Sequence, residues 1–315
     1  MKKMLIFVAI VSLVAGSLFA DEAVLIDFTK LAAGEEGENE ATTMDFTNSR
    51  FSSSLPESTR EALKSSLAIN NWEVHLTSSA RTVANMVKSY VREATSKEHG
   101  QVLGVRIHFP LERVPSSALV KPPFEIPSFD ERFQDGMGVI TNVGAIKSIE
   151  LHYFSLNFPH ELSIILLDGN GVPKHIRMGK LNQSYEGWGR FVWNNPAYIQ
   201  NVRDRNLKLS PLYPDEIPLI KFGGFEIRRD AMHNGGDFIT YFRQINVVYD
   251  KAYMEPERDI NDEDIWKIIT ERDESRMRHD IERYGEIQLL RHRDQERQAT
   301  EQNFDNPERN TNNQK

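Results

Sequence analysis

The chain has 315 residues, 39% hydrophobic and 27% charged, the balance of a globular protein with a polar extension rather than of a membrane or fully disordered chain. Its formal net charge of −8 argues against nucleic acid or an anionic membrane surface as partner, since both reward basic patches. There is no cysteine, which excludes disulfides, thiolate metal sites and a cysteine nucleophile, so an ordinary hydrophobic core must hold the fold.

Residues 1–20 stand apart. Lys2 and Lys3 precede an apolar run over 4–14, and small and apolar residues lead to Ala20, followed at once by Asp21 and Glu22. This is the layout of a secretory signal peptide, with cleavage expected between Ala20 and Asp21, although Leu18 is large for its distance from the cut. The apolar run falls short of the roughly 20 residues a bilayer span requires. No later run is longer, so no membrane insertion is expected once the signal is removed. Losing two lysines and no acid takes the net charge from −8 to −10.

Residues 21–254 read as one all-β domain. Segment 24–28 is a short strand, and 34–40 and 47–58 are loops rich in acid, glycine or serine. Segment 73–76 alternates as a strand does, directly after Trp72. Segment 78–95 is ambiguous: Val83, Val87 and Val91 recur every four residues with Ser79 placed to cap a helix, while Tyr90-Val91 and the β-branched content also suit a strand, and irregular structure with a helical turn is expected. Segment 102–109 alternates and stops at Pro110, after which Pro115, Pro122, Pro123 and Pro127 mark a long exposed connection. Strands follow at 146–154 and 162–167. Asp168-Gly169-Asn170-Gly171 closes a hairpin, since Gly and Asn tolerate the positive φ such turns need. Segments 175–178, 187–193 and 219–229 continue the pattern, and Asn234-Gly235-Gly236 turns the chain into its longest strand, 238–249. There Ile239, Tyr241, Ile245, Val247 and Tyr249 alternate with Thr240, Gln244 and Asn246, which predicts one buried face. Strands joined by short turns, without helices of crossover length, predict an antiparallel β-sandwich of jelly-roll type.

Composition shifts after Tyr253 towards dense charge of both signs. Residues 255–303 are expected to form a charged helical arm and 304–315 a disordered tail. Asn261-Asp262-Glu263-Asp264 is a good helix start. Ile265, Ile268, Ile269, Met277, Ile281, Tyr284 and Ile287 make only a thin apolar stripe. Such a helix is expected to bury little within its own domain, and to be either solvated or docked on a partner.

Chemistry-bearing motifs are missing. No nucleophile elbow, phosphate loop or dinucleotide glycine pattern occurs. His160-Glu161 lacks the second histidine of a zinc helix, because position 164 is Ile. Asp168-Gly169-Asn170-Gly171 lacks the glutamate of a calcium loop, because Gly179 stands where it belongs. No cofactor or metal is expected. Trp72, Trp188 and Trp193, with Tyr185 and Tyr198, could stack sugar rings, but service as core and rim of the sandwich is the favoured reading, since aromatics are common in strands. No carboxylate pair stands out for a hydrolase.

Several segments resemble the FlaA family, the flagellar filament outer-layer proteins of spirochaetes. The resemblance is carried by Leu103-Gly104-Val105-Arg106-Ile107-His108-Phe109-Pro110, Asn157-Phe158-Pro159-His160-Glu161-Leu162-Ser163, Gly179-Lys180-Leu181-Asn182, Gly187-Trp188, Phe225-Glu226-Ile227-Arg228 and Tyr241-Phe242-Arg243-Gln244-Ile245. It implies a non-enzymatic sheath subunit of the periplasmic flagellum. Its partners would be core flagellins, other copies of itself and other sheath proteins. None of these segments carries catalytic residues. The residues singled out for an interaction surface are Trp188, Trp193, Ile265, Trp266, Ile269 and Tyr284. A periplasmic carbohydrate-binding sandwich is the alternative reading.

Overall fold

The computed structural model describes residues 20–34, 38–47, 55–61, 63–77, 79–182, 186–198, 208–209, 213, 218–254 and 259–305. The signal segment before Ala20, Tyr185 and the tail after Asp305 lie outside them. Two long strands each organise one antiparallel sheet. In the first sheet β15 (Gly236–Lys251) pairs along one edge with β9 (Val143–Ser155), which carries β12 (Gly187–Asn194) outside it. Its other edge is shared end to end by β6 (Gly100–Phe109) and β1 (Asp21–Asp27), with β5 (Tyr90–Ser96) beyond β6. The second sheet repeats the scheme. There β14 (Leu219–Arg229) pairs with β10 (Glu161–Leu167) and, beyond it, β11 (Pro173–Lys180). The opposite edge is divided between β7 (Ser116–Lys121) and β8 (Val139–Thr141), with β4 (Glu73–Leu76) outside β7. Two small ribbons complete the strands: β2 (Thr43–Asp45) with β3 (Lys64–Ser66), and β13 (Lys208–Leu209) with β16 (Tyr253–Met254).

The sheets meet over an aromatic core. Phe225 of β14 and Phe242 of β15 stack across the gap with ring centroids 4.2 Å apart, joining the two central strands directly. Phe28 and Phe222 lie 6.0 and 5.1 Å from Phe225, and Trp72 packs on both at 5.4 and 5.9 Å. Burying such rings supplies the main driving force for the fold.

Three expectations are corrected. Along β15 the buried residues are Phe238, Thr240 and Phe242, and then Ile245, Val247 and Tyr249. The pairing with β9 slips between Phe242 and Gln244, and this bulge reverses which parity faces the core. Ile239 and Tyr241 therefore point outward. Second, the proline-marked connection contains β7, whose Ala118 and Val120 are fully buried. The prolines flank the strand and remove no ladder hydrogen bond within it. Third, segment 78–95 holds both of the structures its pattern suggested. Helix α2 (Val83–Lys88) follows α1 (Glu57–Glu61) in the chain, and β5 comes directly after it. The α2 cap is Thr82, whose hydroxyl accepts from the Asn85 N–H, whereas Ser79 donates to the Pro115 carbonyl.

Helix α3 (Asp262–Trp266) and helix α4 (Ile268–Asp305) are separated by Lys267, which sits at φ 52°. Glu263 accepts from the N–H groups of Ile269 and Thr270 and so caps α4. The helix is mostly exposed or half-buried, as its thin stripe predicts, but around Tyr284 it docks on its own domain. It lies over the 122–130 connection, which is mostly buried instead of exposed, with Phe124 packed on Phe46 and Phe133 beneath. Gln288 and Arg291 both donate to the Pro123 carbonyl, and Gln295 donates to Glu73. Tyr284 is 2% exposed, and Ile281 and Leu289 pack on the core. Among the described residues no helix is long and apolar enough to cross a membrane.

A candidate interaction surface

The helix covers part of the outer side of the second sheet. Much of the rest is a ladder of ion pairs, with Glu161 meeting Arg177 and Glu226 meeting His175 at 3.0 Å. The outer side of the first sheet differs in chemistry. Its registers place Arg92, Gly104, Tyr241, Phe154 and Trp188 opposite one another on five consecutive strands, from β5 to β12. Three aromatic rings thus stand in one row across the sheet, each half-buried. Ring centroids are 5.9 Å apart from Tyr241 to Phe154 and 5.5 Å from Phe154 to Trp188, both edge to face. Gly104 makes the row possible. A Cβ there would lie 3.2 Å from the Tyr241 ring and 3.0 Å from the Arg92 carbonyl, so only glycine lets the ring lie against the strand.

The row has walls. Beyond residue 243 of β15, β1 takes over the edge that β6 occupied. The β5–β6 turn bends over the outer face, so that His99 meets the Trp188 ring at 4.7 Å. Burial and the nearby Arg243 guanidinium lower the His99 pKa, which favours the neutral ring there. On the other side, Arg106 donates to both Asp237 oxygens at 3.3 and 3.0 Å, and His108 meets the same carboxylate at 2.8 Å. The Arg106 and His108 hydrogen bonds hold the Asp237 carboxyl below its usual range. Tyr90 accepts from Arg106 at 3.2 Å, and the Arg92 guanidinium lies 4.9 Å from the Tyr90 ring centroid. Between these groups and Tyr241 lies an open groove of about 340 Å³.

Of the tryptophans and tyrosines weighed as a sugar platform, those among the described residues are not gathered in one place. Trp72 is 4% exposed, in the core. Trp193 packs on the core from the inner side of β12, while Trp188 is on its outer side. The half-buried Tyr198 donates to Asp250 at 3.2 Å. Of the helical residues, Ile265 and Trp266 are 61% and 64% exposed and Ile269 is half-buried, but Tyr284 is covered by its own sandwich and offers no surface. Tyr241, Phe154 and Arg92 were missed, because only the register shows that they share a row with Trp188. Among the described residues no three His, Asp or Glu side chains are grouped to hold a metal.

The architecture is that of a two-sheet antiparallel sandwich with a docked C-terminal helix, a protein that acts through its faces. The family described as flagellar filament outer layer protein FlaA matches residues 35–258. A flagellar filament outer layer protein of Spirochaeta aurantia is 40% identical over 306 residues, covering 91% of this chain and 90% of the relative. One from Treponema pallidum is 37% identical over 340 residues, covering 96% of each. The chain belongs to the FlaA family, whose members are structural proteins of the filament sheath and not enzymes. Among solved structures, TmCBM61 in complex with β-1,4-galactotriose overlaps at a TM-score of 0.27 and 6% identity, covering 57% of this chain and 88% of that one. A family 11 carbohydrate-binding module of Clostridium thermocellum overlaps at 0.26 and 12% identity, covering 59% and 91%. At overlaps this low nothing is carried over from them.

Proposed function

We propose that this protein is a subunit of the sheath of a periplasmic flagellum, laid on the core flagellins and on neighbouring copies of itself and other sheath proteins. The family match over nearly the whole sandwich carries this reading. The N-terminus supports export: β1 begins at Asp21, and its carboxylate pairs with Lys251 at 2.9 Å, so a chain cut between Ala20 and Asp21 keeps the whole first strand. Subunit contacts in such a layer are individually weak and collectively strong, and a head-to-tail contact that does not close generates a lattice. The exposed apolar residues at the start of the helical segment, Ile265 and Trp266, suit a contact with a neighbour. Domain limits at 21–254 and 255–303 accord with a sandwich carrying a helical segment that is anchored at Tyr284 and exposed at Trp266.

The test is to purify periplasmic flagella and locate the protein by mass spectrometry and immuno-electron microscopy. Decoration along the filament is expected. Recovery only in the soluble periplasm overturns the reading. A Trp266→Ala, Ile265→Ala double variant is expected to fold normally and to leave gaps in the sheath. An unaltered sheath removes these two residues from the contact.

A further inference from the structure

The outer face of the first sheet combines features not needed to hold the fold. Tyr241, Phe154 and Trp188 leave ring surface open to solvent although aromatic side chains gain most from burial. Of the guanidiniums around the row, Arg106 and Arg190 each have a carboxylate partner, and Arg92 lies over the Tyr90 ring. Asp237 answers Arg106 and His108, and Glu150 answers His152 at 2.7 Å and Arg190 at 3.3 Å. A face with balanced charge attracts neither an anionic polymer nor a basic or acidic peptide by long-range force. It keeps hydrogen-bonding groups at its rim, namely the Arg92 and Arg106 guanidiniums, the Tyr90 hydroxyl and the Asp237 carboxylate. The groove between them is open, at about 340 Å³, and is bounded by Tyr241 on one side. The β5–β6 turn, folded over the face at His99, closes the far end of the row.

We infer that this trough binds an uncharged oligosaccharide chain, laid across the strands from the Tyr90–Arg106 groove over Tyr241 and Phe154 to Trp188. A pyranose ring has an apolar face of axial C–H groups and an equatorial rim of hydroxyls. It therefore matches an aromatic ring below and guanidinium, carboxylate and phenol groups at the side. Successive rings of the row sit on successive strands with adjacent planes 81° apart, so faces and edges alternate and a ligand of several sugar units meets a ring face at alternate strands. A protein surface of the same area would need a broad flat contact, which the overhanging β5–β6 turn obstructs. The inference goes beyond the sheath role and does not depend on it, because it concerns the isolated subunit.

The experiment uses the purified mature chain. Uncharged tetrasaccharides, β-1,4-linked glucose and N-acetylglucosamine among them, are titrated by calorimetry and by protein fluorescence. An array of neutral and acidic glycans is probed in parallel. Saturable binding of a neutral glycan is expected, weakened at least tenfold by Tyr241→Ala and by Trp188→Ala. Trp266→Ala, on the helical segment, leaves it unchanged. Thermal melts of each variant confirm folding, and Arg92→Ala, at an exposed side chain, is expected to weaken binding as well. Absence of binding to every neutral glycan at millimolar concentration overturns the inference. So does binding of acidic glycans alone, or binding that survives Tyr241→Ala and Trp188→Ala together. Loss of filament attachment in these variants without any glycan binding by the parent would make the trough a protein contact instead. Failure to find the protein on filaments would sink the sheath reading and leave the glycan result untouched.

Discussion

Lys221 and Glu125 form an ion pair beneath the C-terminal helix, the lysine side chain 4% exposed, on the outer side of β14 between two inward-facing residues. Arg283 of α4 approaches the same Glu125 oxygen at 3.8 Å, and the Arg283 guanidinium donates to the Tyr284 hydroxyl at 2.7 Å. Burial raises the Asp280 carboxyl and the Tyr284 hydroxyl above their ordinary ranges, as expected where a helix seals polar groups from water. The helix is thus docked by a polar network, which is why a thin apolar stripe suffices.

Removing one partner of a buried pair leaves the other uncompensated. Lys221→Met is therefore expected to destabilise the protein by about 3 kcal/mol, the low end for such pairs because Glu125 is partly exposed and keeps Arg283. Denaturant midpoints measure the loss. Hydrogen exchange should show α4 amides between 276 and 291 opening before the central strands. If exchange in α4 is unchanged, the network does not hold the helix.

A second prediction concerns acid. His160 is 4% exposed among Phe109, Phe158 and Phe238, with ring centroids 4.9–5.8 Å away, and its Nδ1 has no hydrogen-bond partner among the described residues. Burial, aided by the charges of His233 and Arg229, lowers its pKa from 6.5 to about 4. The unfolded chain then binds more protons between these values, so stability is full above pH 6.5 and is lost as pH falls towards 4. The shift corresponds to about 3 kcal/mol. His160→Phe should flatten this part of the stability profile between pH 7 and 4.5. An equally steep profile in the variant would assign the acid sensitivity elsewhere.

The positions of most strands were legible because period-two alternation survives in most segments, and the turns at Asp168 and Asn234 carry their own residue chemistry. What failed did so for identifiable reasons. The bulge after Phe242 is invisible in a residue pattern, and it exchanged the buried and exposed sets in half of β15. β7 lies between prolines, and the flanking residues hid a six-residue strand. The docking of α4 rests on Lys221 and Glu125, which are charged and look solvated in sequence. The candidate surface was half visible. Trp188 and Trp193 differ by an odd number of positions in one strand, so opposite faces could have been read directly. The row of Arg92, Tyr241 and Phe154 needs the register of four other strands, which no local pattern supplies.

The turn region around Arg229 gives a third prediction. This side chain is 2% exposed, and its guanidinium donates to the carbonyls of Pro110, Glu112 and Val114, so that three carbonyls of one loop depend on one cation. A Cβ on Gly235 would collide with the Pro110 carbonyl and press on the Arg229 guanidinium. Arg229→Lys keeps the charge but loses the fork, and is expected to cost about 3 kcal/mol, since hydrogen bonds to charged groups contribute about 1.5–3 kcal/mol each. Gly235→Ala should be destabilising too. The two are in contact, so the double variant should lose less than the sum of the single losses. Strict additivity in thermal denaturation would separate them.

The junction of the two C-terminal helices gives the last. Lys267 holds φ 52°, a left-handed conformation that costs a residue with a Cβ about 1 kcal/mol and glycine little. The Glu263 carboxylate, by accepting from Ile269 and Thr270, ties the end of α3 to the start of α4 and fixes that conformation. Its pKa is lowered, first by the Thr270 backbone N–H, so the cap is strongest when the carboxylate is ionised and weakens as pH falls. Lys267→Gly should raise stability by up to about 1 kcal/mol, the strain relieved less the added freedom of the unfolded chain. Lys267→Val should lower it, because a β-branched side chain tolerates this region poorly. Glu263→Ala should fray the first turn of α4, seen as faster exchange at Ile269 and Thr270, while Tyr284 stays buried. If instead Tyr284 becomes accessible to solvent in Glu263→Ala, the cap and the docking network form one cooperative unit, and the helix detaches from its N-terminal end.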